Sequence, residues 1–349
     1  MFNPFRTAMA IQLKRRTILR LKLFAWYAAV YSAVGLCWEL IEEGVIEWGP
    51  IIGLSIGVGL AAVEEFRIVN FTRSMSFTRA VLAKSLVYLA VIAVPSILAA
   101  LIDGLIYGKA LADFVVFLLD GELFLRLVII FPIHVVVVFF RHLNLLLGPN
   151  TLLRYLSGKY HHPRVEKRVF MFLDLKSSTM LAETMGGESY FSFLNTFFRD
   201  ISEPILERGA EIYQYIGDEV VLTWPADIGL RDANCICVFI EILAKIHSRR
   251  DFYLSEFGHV PVFKAGVHFG DVITAEIGDI KKEIVYNGDV LNTTARIQSM
   301  CNEFDQILIA SESLVSALEL PAFIEPKSLG DVALRGKADA IPLLALFSR

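Results

Sequence analysis

Four apolar stretches in the first half of the chain, Ile18 to Leu40, Gly49 to Val63, Ala80 to Ile106 and Leu123 to Leu147, restrict what it can fold into. A helix needs about 20 apolar residues to cross a bilayer, and all but the second stretch reach that length. The second is shorter and carries Gly53, Gly57 and Gly59, so a re-entrant or interfacial segment is its alternative reading. With 55% hydrophobic residues, the chain is too apolar for an ordinary soluble protein. Residues 1–147 are therefore expected to form an α-helical transmembrane domain of about four helices.

The intervening charges alternate as cytoplasmic and outer connections should. Lys14, Arg15, Arg16, Arg20 and Lys22 mark a cytoplasmic N-terminus, and Glu39, Glu42, Glu43 and Glu47 mark the first connection. Arg67, Arg73, Arg79 and Lys84 mark the second connection, and Asp103, Asp113, Asp120 and Glu122 the third. Arg141, near the end of the last stretch, and Arg154, Lys159, Arg164, Lys167 and Arg168 beyond it return the chain to the basic side. The pattern predicts a multi-pass inner-membrane protein whose N-terminus and C-terminal half are cytoplasmic, with no cleavable signal peptide. Glu39, Glu42, Glu43, Glu64, Glu65, Arg126 and His134 lie at or near membrane depth. Snorkelling or pairing explains them, and a membrane-domain ligand of unknown chemistry is the sharper alternative. Cys235 and Cys237, two apart on a predicted helix, read as buried free thiols.

Residues 148–168 turn basic and polar, with breakers at Gly148-Pro149-Asn150 and His161-His162-Pro163. Thr151 to Leu156 leaves room for a short helix. A linker this short is expected to transmit motion between the two halves.

Residues 169–349 carry the chemistry. Val169 to Leu173 reads as a buried strand ending at Asp174, followed by Ser177, Ser178 and Thr179 as helix caps whose free N–H groups suit a phosphate. Ala210 to Ile216 and Glu219 to Trp224 read as a hairpin with Asp218 at its tip. Taken singly, each acid is a cap or a turn residue. Side by side, they would hold two divalent ions against a nucleoside triphosphate.

Glu183 to Arg208 and Ile228 to His247 show helical periodicity. Val262 to Phe269 and Val272 to Ile277 read as a second hairpin turning at Gly270-Asp271. Asp289 is expected to cap a helix on which Asn292 and Arg296, spaced i and i+4, share a face suited to a ribose and a charged phosphorus. Ser311 caps a further helix, Ile341 to Phe347 closes as a strand, and Leu334-Arg335-Gly336-Lys337 sets cations beside a glycine.

FLDLKSST (Phe172 to Thr179), YQYIGDEV (Tyr213 to Val220), GVHFGDV (Gly266 to Val272), NGDVLNTTAR (Asn287 to Arg296) and LRGK (Leu334 to Lys337) together resemble the class III adenylyl/guanylyl cyclase catalytic domain, in its membrane-anchored bacterial type. The resemblance implies an α/β ferredoxin-like catalytic domain working as a head-to-tail homodimer. It implies that Asp174, Asp218 and the Leu175 carbonyl of one chain bind two Mg²⁺ or Mn²⁺ ions per site. Asn292 and Arg296 of the other chain would orient the ribose and stabilise the transition state, and its Lys337 would hold the outer phosphates. At the positions that read the base, the adenylyl enzymes usually carry Lys and Asp or Thr, whereas this chain has Gln214 and Val285. The implied activity is conversion of ATP to cyclic AMP and pyrophosphate, with no nucleic-acid partner. Guanylate cyclase and a membrane receptor with a non-catalytic cyclase-like output domain are the alternatives. A degraded diguanylate-cyclase signature at Ile216 to Val220 lacks the Asn292 and Arg296 helix.

Overall fold

The computed structural model describes residues 21, 23–40, 48–65, 75–106, 151–334 and 339–348, with scattered positions between 108 and 148. The chain divides into two compact units, one of them Ala10–Leu147 and the other running from Gly148 to the C-terminus.

In the first unit, helices α1 (Leu23–Leu40), α2 (Gly49–Glu65) and α3 (Phe77–Ile106) are described. By length and composition α1 and the Thr78–Ile106 part of α3 suffice to cross a membrane, and α2 is shorter. Glycine sets the spacing of α1 and α2. A Cβ on Gly53 would lie 2.1 Å from the Tyr31 carbonyl oxygen, and one on Gly57 would lie 2.5 Å from that of Tyr27, so only glycine admits this approach. Tyr27, Ile56, Leu60, Tyr88 and Ile92 pack into the resulting core. Glu39 is buried, and its Oε1 accepts the backbone N–H groups of Trp48 and Gly49 at 2.7 and 2.8 Å, satisfying donors that the start of α2 leaves open. The Leu123 to Leu147 stretch falls mostly outside the described residues, and Glu42, Glu43, Arg126 and His134 and the side chains of Glu64 and Glu65 fall outside them altogether.

The second unit opens with α4 (Thr151–Leu156) and β1 (Arg164–Leu175). Helices α5 (Ser178–Met185) and α6 (Gly187–Glu207) lead to the hairpin β2 (Glu211–Ile216) and β3 (Glu219–Pro225). Next come α7 (Ala226–Leu230), α8 (Asn234–Ser248), α9 (Arg250–Phe257), the long β4 (Phe263–Ile277) and β5 (Glu283–Asn287). The remainder is α10 (Asp289–Glu303), β6 (Leu308–Ser311), α11 (Glu312–Ser316), β7 (Ile324–Val332) and β8 (Ile341–Ser348). The strands form one mixed sheet in the order β2-β3-β1-β4-β6-β8-β7, with β5 on β4. Among the described residues only β4 and β6 pair in parallel; the other pairs are antiparallel.

Alternation along β1 explains the layers. Val169, Met171 and Leu173 join the main core beneath α6 and α8, whereas Phe170 and Phe172 pack on the opposite face with Val221, Tyr286 and Val290, the last from α10. The same alternation carries Asp174 to the α10 face.

Several expectations change here. The hairpin expected at Gly270-Asp271 is one continuous strand, because β1 pairs straight through it, Arg168 with Gly270, Lys167 with Asp271 and Glu166 with Val272. Gly270 serves close packing instead, since a Cβ there would lie 2.7 Å from Val290 Cγ2. The linker expected to end at 168 gives up Arg164 to Arg168 to β1, and the single helix from Ile228 is α7 and α8, followed by α9. Gly288, not Asp289, occupies the cap of α10; Asp289 is its first residue and its Oδ2 accepts Thr293 Oγ1 at 3.2 Å. Cys235, Cys237 and Cys301 are free and buried.

Candidate active site

Asp174 is the penultimate residue of β1, and Asp218 occupies the β2–β3 turn behind Gly217, whose φ of 64° suits a residue without a side chain. The register sets Asp174 opposite Glu219 on β3 and opposite Lys264 on β4. Asp174 and Asp218, distant in sequence, come within hydrogen-bonding reach of each other.

Crowding of acids raises the pKa of Asp174 and of Glu219. Burial, then the hydrogen bond and charge of Asp218, push the Asp174 carboxyl up, against the opposing pull of Lys264. Glu219 is pushed up to about 7 by burial and by the charges of Asp174 and Asp218. A site where neighbouring acids hold the carboxyls of Asp174 and Glu219 up is the environment a divalent cation relieves, and hard oxygen donors suit Mg²⁺ and Mn²⁺. Among the described residues no group of three or more His, Cys, Asp or Glu side chains is arranged to hold a metal. The donors on offer are the aspartate pair and neighbouring backbone, including the carbonyl of Leu175, whose side chain is buried.

Two further side chains fix Asp174. Gln298 Nε2, from α10, donates to Asp174 Oδ2 at 2.9 Å, and Lys264 Nζ lies 3.3 Å from the same oxygen. Lys264 Nζ also donates to Asn302 Oδ1 at 3.0 Å. Sequence reading passed over all three. The available signal was Lys264, a lone cation in an apolar strand, which burial requires to be paired.

The phosphate-facing turn differs from expectation. Ser177 stands in the left-handed region at φ 60° and its hydroxyl caps nothing; α5 begins at Ser178, which is half-buried, and Thr179, which is exposed. Asn292 is exposed and Arg296 half-buried on α10. Among the described residues neither makes a hydrogen bond or ion pair with Asp174 or Asp218 of its own chain. Gln214 is exposed on β2, four residues before Asp218. Val285 pairs with Ala275 on β4, whereas Asp174 pairs with Lys264 near its other end. At about 3.3 Å per residue these points are roughly 35 Å apart along the strand. Tyr213 and Tyr286, the neighbours of Gln214 and Val285, pack edge to face with centroids 5.0 Å apart. Leu334 is buried; Arg335, Gly336 and Lys337 lie outside the described residues.

The sequence pattern of the Adenylate and Guanylate cyclase catalytic domain matches residues 160–344. Adenylate cyclase 2 of Rhizobium meliloti (strain 1021) is 36% identical over 211 residues, which cover 60% of this chain and 58% of that protein. An adenylate cyclase of Anabaena cylindrica is 25% identical over 183 residues, 51% of this chain and 36% of its own. The chain thus spans little more than half, or less, of the curated relatives it matches. Among solved structures, the adenylyl cyclase CyaB from P. aeruginosa superposes with a TM-score of 0.48 at 16% identity, covering 54% of this chain and 97% of that one.

Proposed function

The chain belongs to the family of adenylate and guanylate cyclase catalytic domains, of class III, and from that premise we propose that it is a membrane-bound adenylate cyclase, converting ATP to 3′,5′-cyclic AMP and pyrophosphate. The observation that carries the reading is the convergence of Asp174 and Asp218 at one strand end, with Asn292 and Arg296 turned elsewhere on α10. That arrangement suits a homodimer in which each site takes its acids from one chain and its amide and guanidinium from the other. The curated relatives named above, both adenylate cyclases, favour ATP.

Asp174, Asp218 and the Leu175 carbonyl would hold two Mg²⁺ or Mn²⁺ ions. Bound there, the ions neutralise phosphate charge and lower the pKa of the ribose 3′-hydroxyl. Asn292 of the partner would orient the ribose so that its 3′-oxygen lines up with the α-phosphorus. That oxygen forms the new P–O bond, its proton passes to solvent, and the bond to the β-phosphate oxygen breaks to release pyrophosphate. Arg296 would stabilise charge on the α-phosphate in the transition state, and Lys337 would grip the departing phosphates. Ser177, Ser178 and Thr179 lie beside the phosphates in this reading, and Gln214 and Val285 at the base, where Gln214 both donates and accepts. The apolar helices α1 and α3 support anchoring in the inner membrane, with the catalytic half cytoplasmic and open to control by a ligand of the membrane domain.

The purified protein with Mn²⁺ and either ATP or GTP tests the proposal. Cyclic AMP that disappears with Asp174→Ala supports it, and cyclic GMP alone, or no product from either nucleotide, overturns it. Mixing inactive Asp218→Ala and Asn292→Ala chains tests the shared site: activity returns if each chain supplies one half, and its absence at every ratio sinks the dimer arrangement.

A further inference from the structure

Helix α10 touches one site while presenting residues suited to another. Gln298 and Asn302 are one turn apart, and both reach the carboxylate end of their own chain, Gln298 directly to Asp174 and Asn302 through Lys264. Gln298 and Lys264 are buried, and hydrogen bonds to a charged group in such surroundings are strong and directional. At about 100° per residue, Asn292 and Arg296 stand roughly 120° round the same helix. One stiff element therefore joins the acid of a chain's own site to the amide and guanidinium it would lend to its partner's site.

We infer that Gln298 is a positioning residue that fixes the Asp174 carboxylate for a cation and, through α10, couples cation occupancy at one site of the dimer to the geometry of Asn292 and Arg296 at the other. This rests on the shared-site reading above. Gln298 and Lys264 both hold Oδ2 of Asp174, and a cation would take the other oxygen. A cation that draws Asp174 toward it pulls on Gln298, and α10 moves as a unit.

The mixed dimer separates the two roles. In a heterodimer purified through different tags on the two chains, with Asn292→Ala in the second chain only, the single live site takes its acids from the second chain and its Asn292 and Arg296 from the first, while the dead site keeps the acids that would hold its cation. Gln298→Met, of similar length and with no donor, is then added to the first chain, where it touches only the Asp174 of the dead site. Coupling predicts that kcat at the live site falls about tenfold with the apparent KM for Mn²⁺ unchanged, since loss of an outer-shell contact commonly costs 10–100-fold. An unchanged kcat overturns the coupling. Independently, Mn²⁺ binding to the Gln298→Met protein without nucleotide, followed by electron paramagnetic resonance, should be about tenfold weaker than in the parent chain; equal binding overturns the positioning role. If Gln298→Met does not fold by circular dichroism, Asn302→Leu, which removes the anchor of Lys264, takes its place in both measurements. If the Asp218→Ala and Asn292→Ala mixture regains no activity, the shared-site reading fails, and the Mn²⁺ binding still decides the role of Gln298.

Discussion

Arg168 Nη2 stands 2.8 Å from Glu211 Oε2, tying β1 to the first residue of the strand that leads to Asp218. The guanidinium is almost wholly buried, donates through Nε to Thr223 Oγ1 at 3.1 Å and lies 4.6 Å from the centre of the Tyr286 ring. Arg154 of α4 shares Glu211, with Nη1 at 3.2 Å from Oε2. The segment that follows the apolar half is thereby pinned to the hairpin that presents the second acid.

Arg168→Met should therefore destabilise the catalytic half rather than alter its chemistry. Breaking a buried ion pair costs about 3–5 kcal/mol, and Glu211 keeps Arg154 while Glu166 keeps Lys159, so the lower figure applies. At about 2–4 °C per kcal/mol for a domain of this size, Tm should fall by roughly 6–12 °C. Thermal unfolding followed by circular dichroism measures it; a change under 2 °C contradicts the network's role.

Glu166 gives that network its pH dependence. Burial raises its carboxyl, but hydrogen bonds from Lys159 at 3.0 Å and Tyr160 at 2.9 Å, with the charges of Lys159 and Arg168, outweigh burial and hold it below its ordinary 4.5. A carboxylate depressed in the folded state stabilises above its unfolded pKa, and that contribution is lost as pH falls through the folded value. Glu166→Gln should be less stable than the parent at neutral pH, and the gap should close as pH drops below about 4. Urea titrations across that range test it; a gap constant with pH refutes the assignment.

The acid cluster makes the opposite prediction. Raised pKa values at Asp174 and Glu219 mean that ionising them together costs folding energy at neutral pH. Asp218→Asn should raise the Tm of metal-free protein, while abolishing the further rise that Mn²⁺ gives the parent chain. A cation at 100 times its Kd adds about 2.7 kcal/mol to the parent, and EDTA should reverse it. Equal Mn²⁺ stabilisation of both proteins would place the cation elsewhere.

Arg296→Ala should lower kcat by about 100-fold or more, with KM for ATP little changed, because the guanidinium is assigned to charge that develops only in the transition state. Initial rates at saturating Mn²⁺ distinguish this from a binding defect, which would move KM alone.

The residues proposed to bear chemistry stood out in the sequence because they punctuate regular elements: Asp174 ends an apolar run, Asp218 sits in a Gly-Asp turn, and Asn292 and Arg296 keep helical spacing. Elements set by tertiary pairing were not. Gly270-Asp271 has the composition of a turn, yet lies mid-strand because β1 continues opposite it. Strand β7 contains Pro326 and Gly330, is mostly exposed and pairs with β8 at the sheet edge, so its sequence carries no buried pattern. Gln298 was invisible for the same reason: its importance comes from the strand end it meets, and periodicity shows only that it faces inward.

Gly266 tests that last contact from the sheet side. A Cβ there would lie 2.3 Å from the backbone N of Gln298 and 2.6 Å from its Cα, so α10 must back away by about 1 Å to admit alanine. A misplacement of that size commonly costs on the order of 100-fold in rate, and overpacking adds about 1–3 kcal/mol of destabilisation. Gly270→Ala is the control. Its Cβ would meet only the end of the Val290 side chain, at 2.7 Å, where a rotamer change gives relief without moving the helix. Gly266→Ala should therefore lose about 100-fold in kcat, with Gly270→Ala within a few-fold of the parent. Equal losses in the two variants would mean that the seat of α10 on β4 does not govern the site.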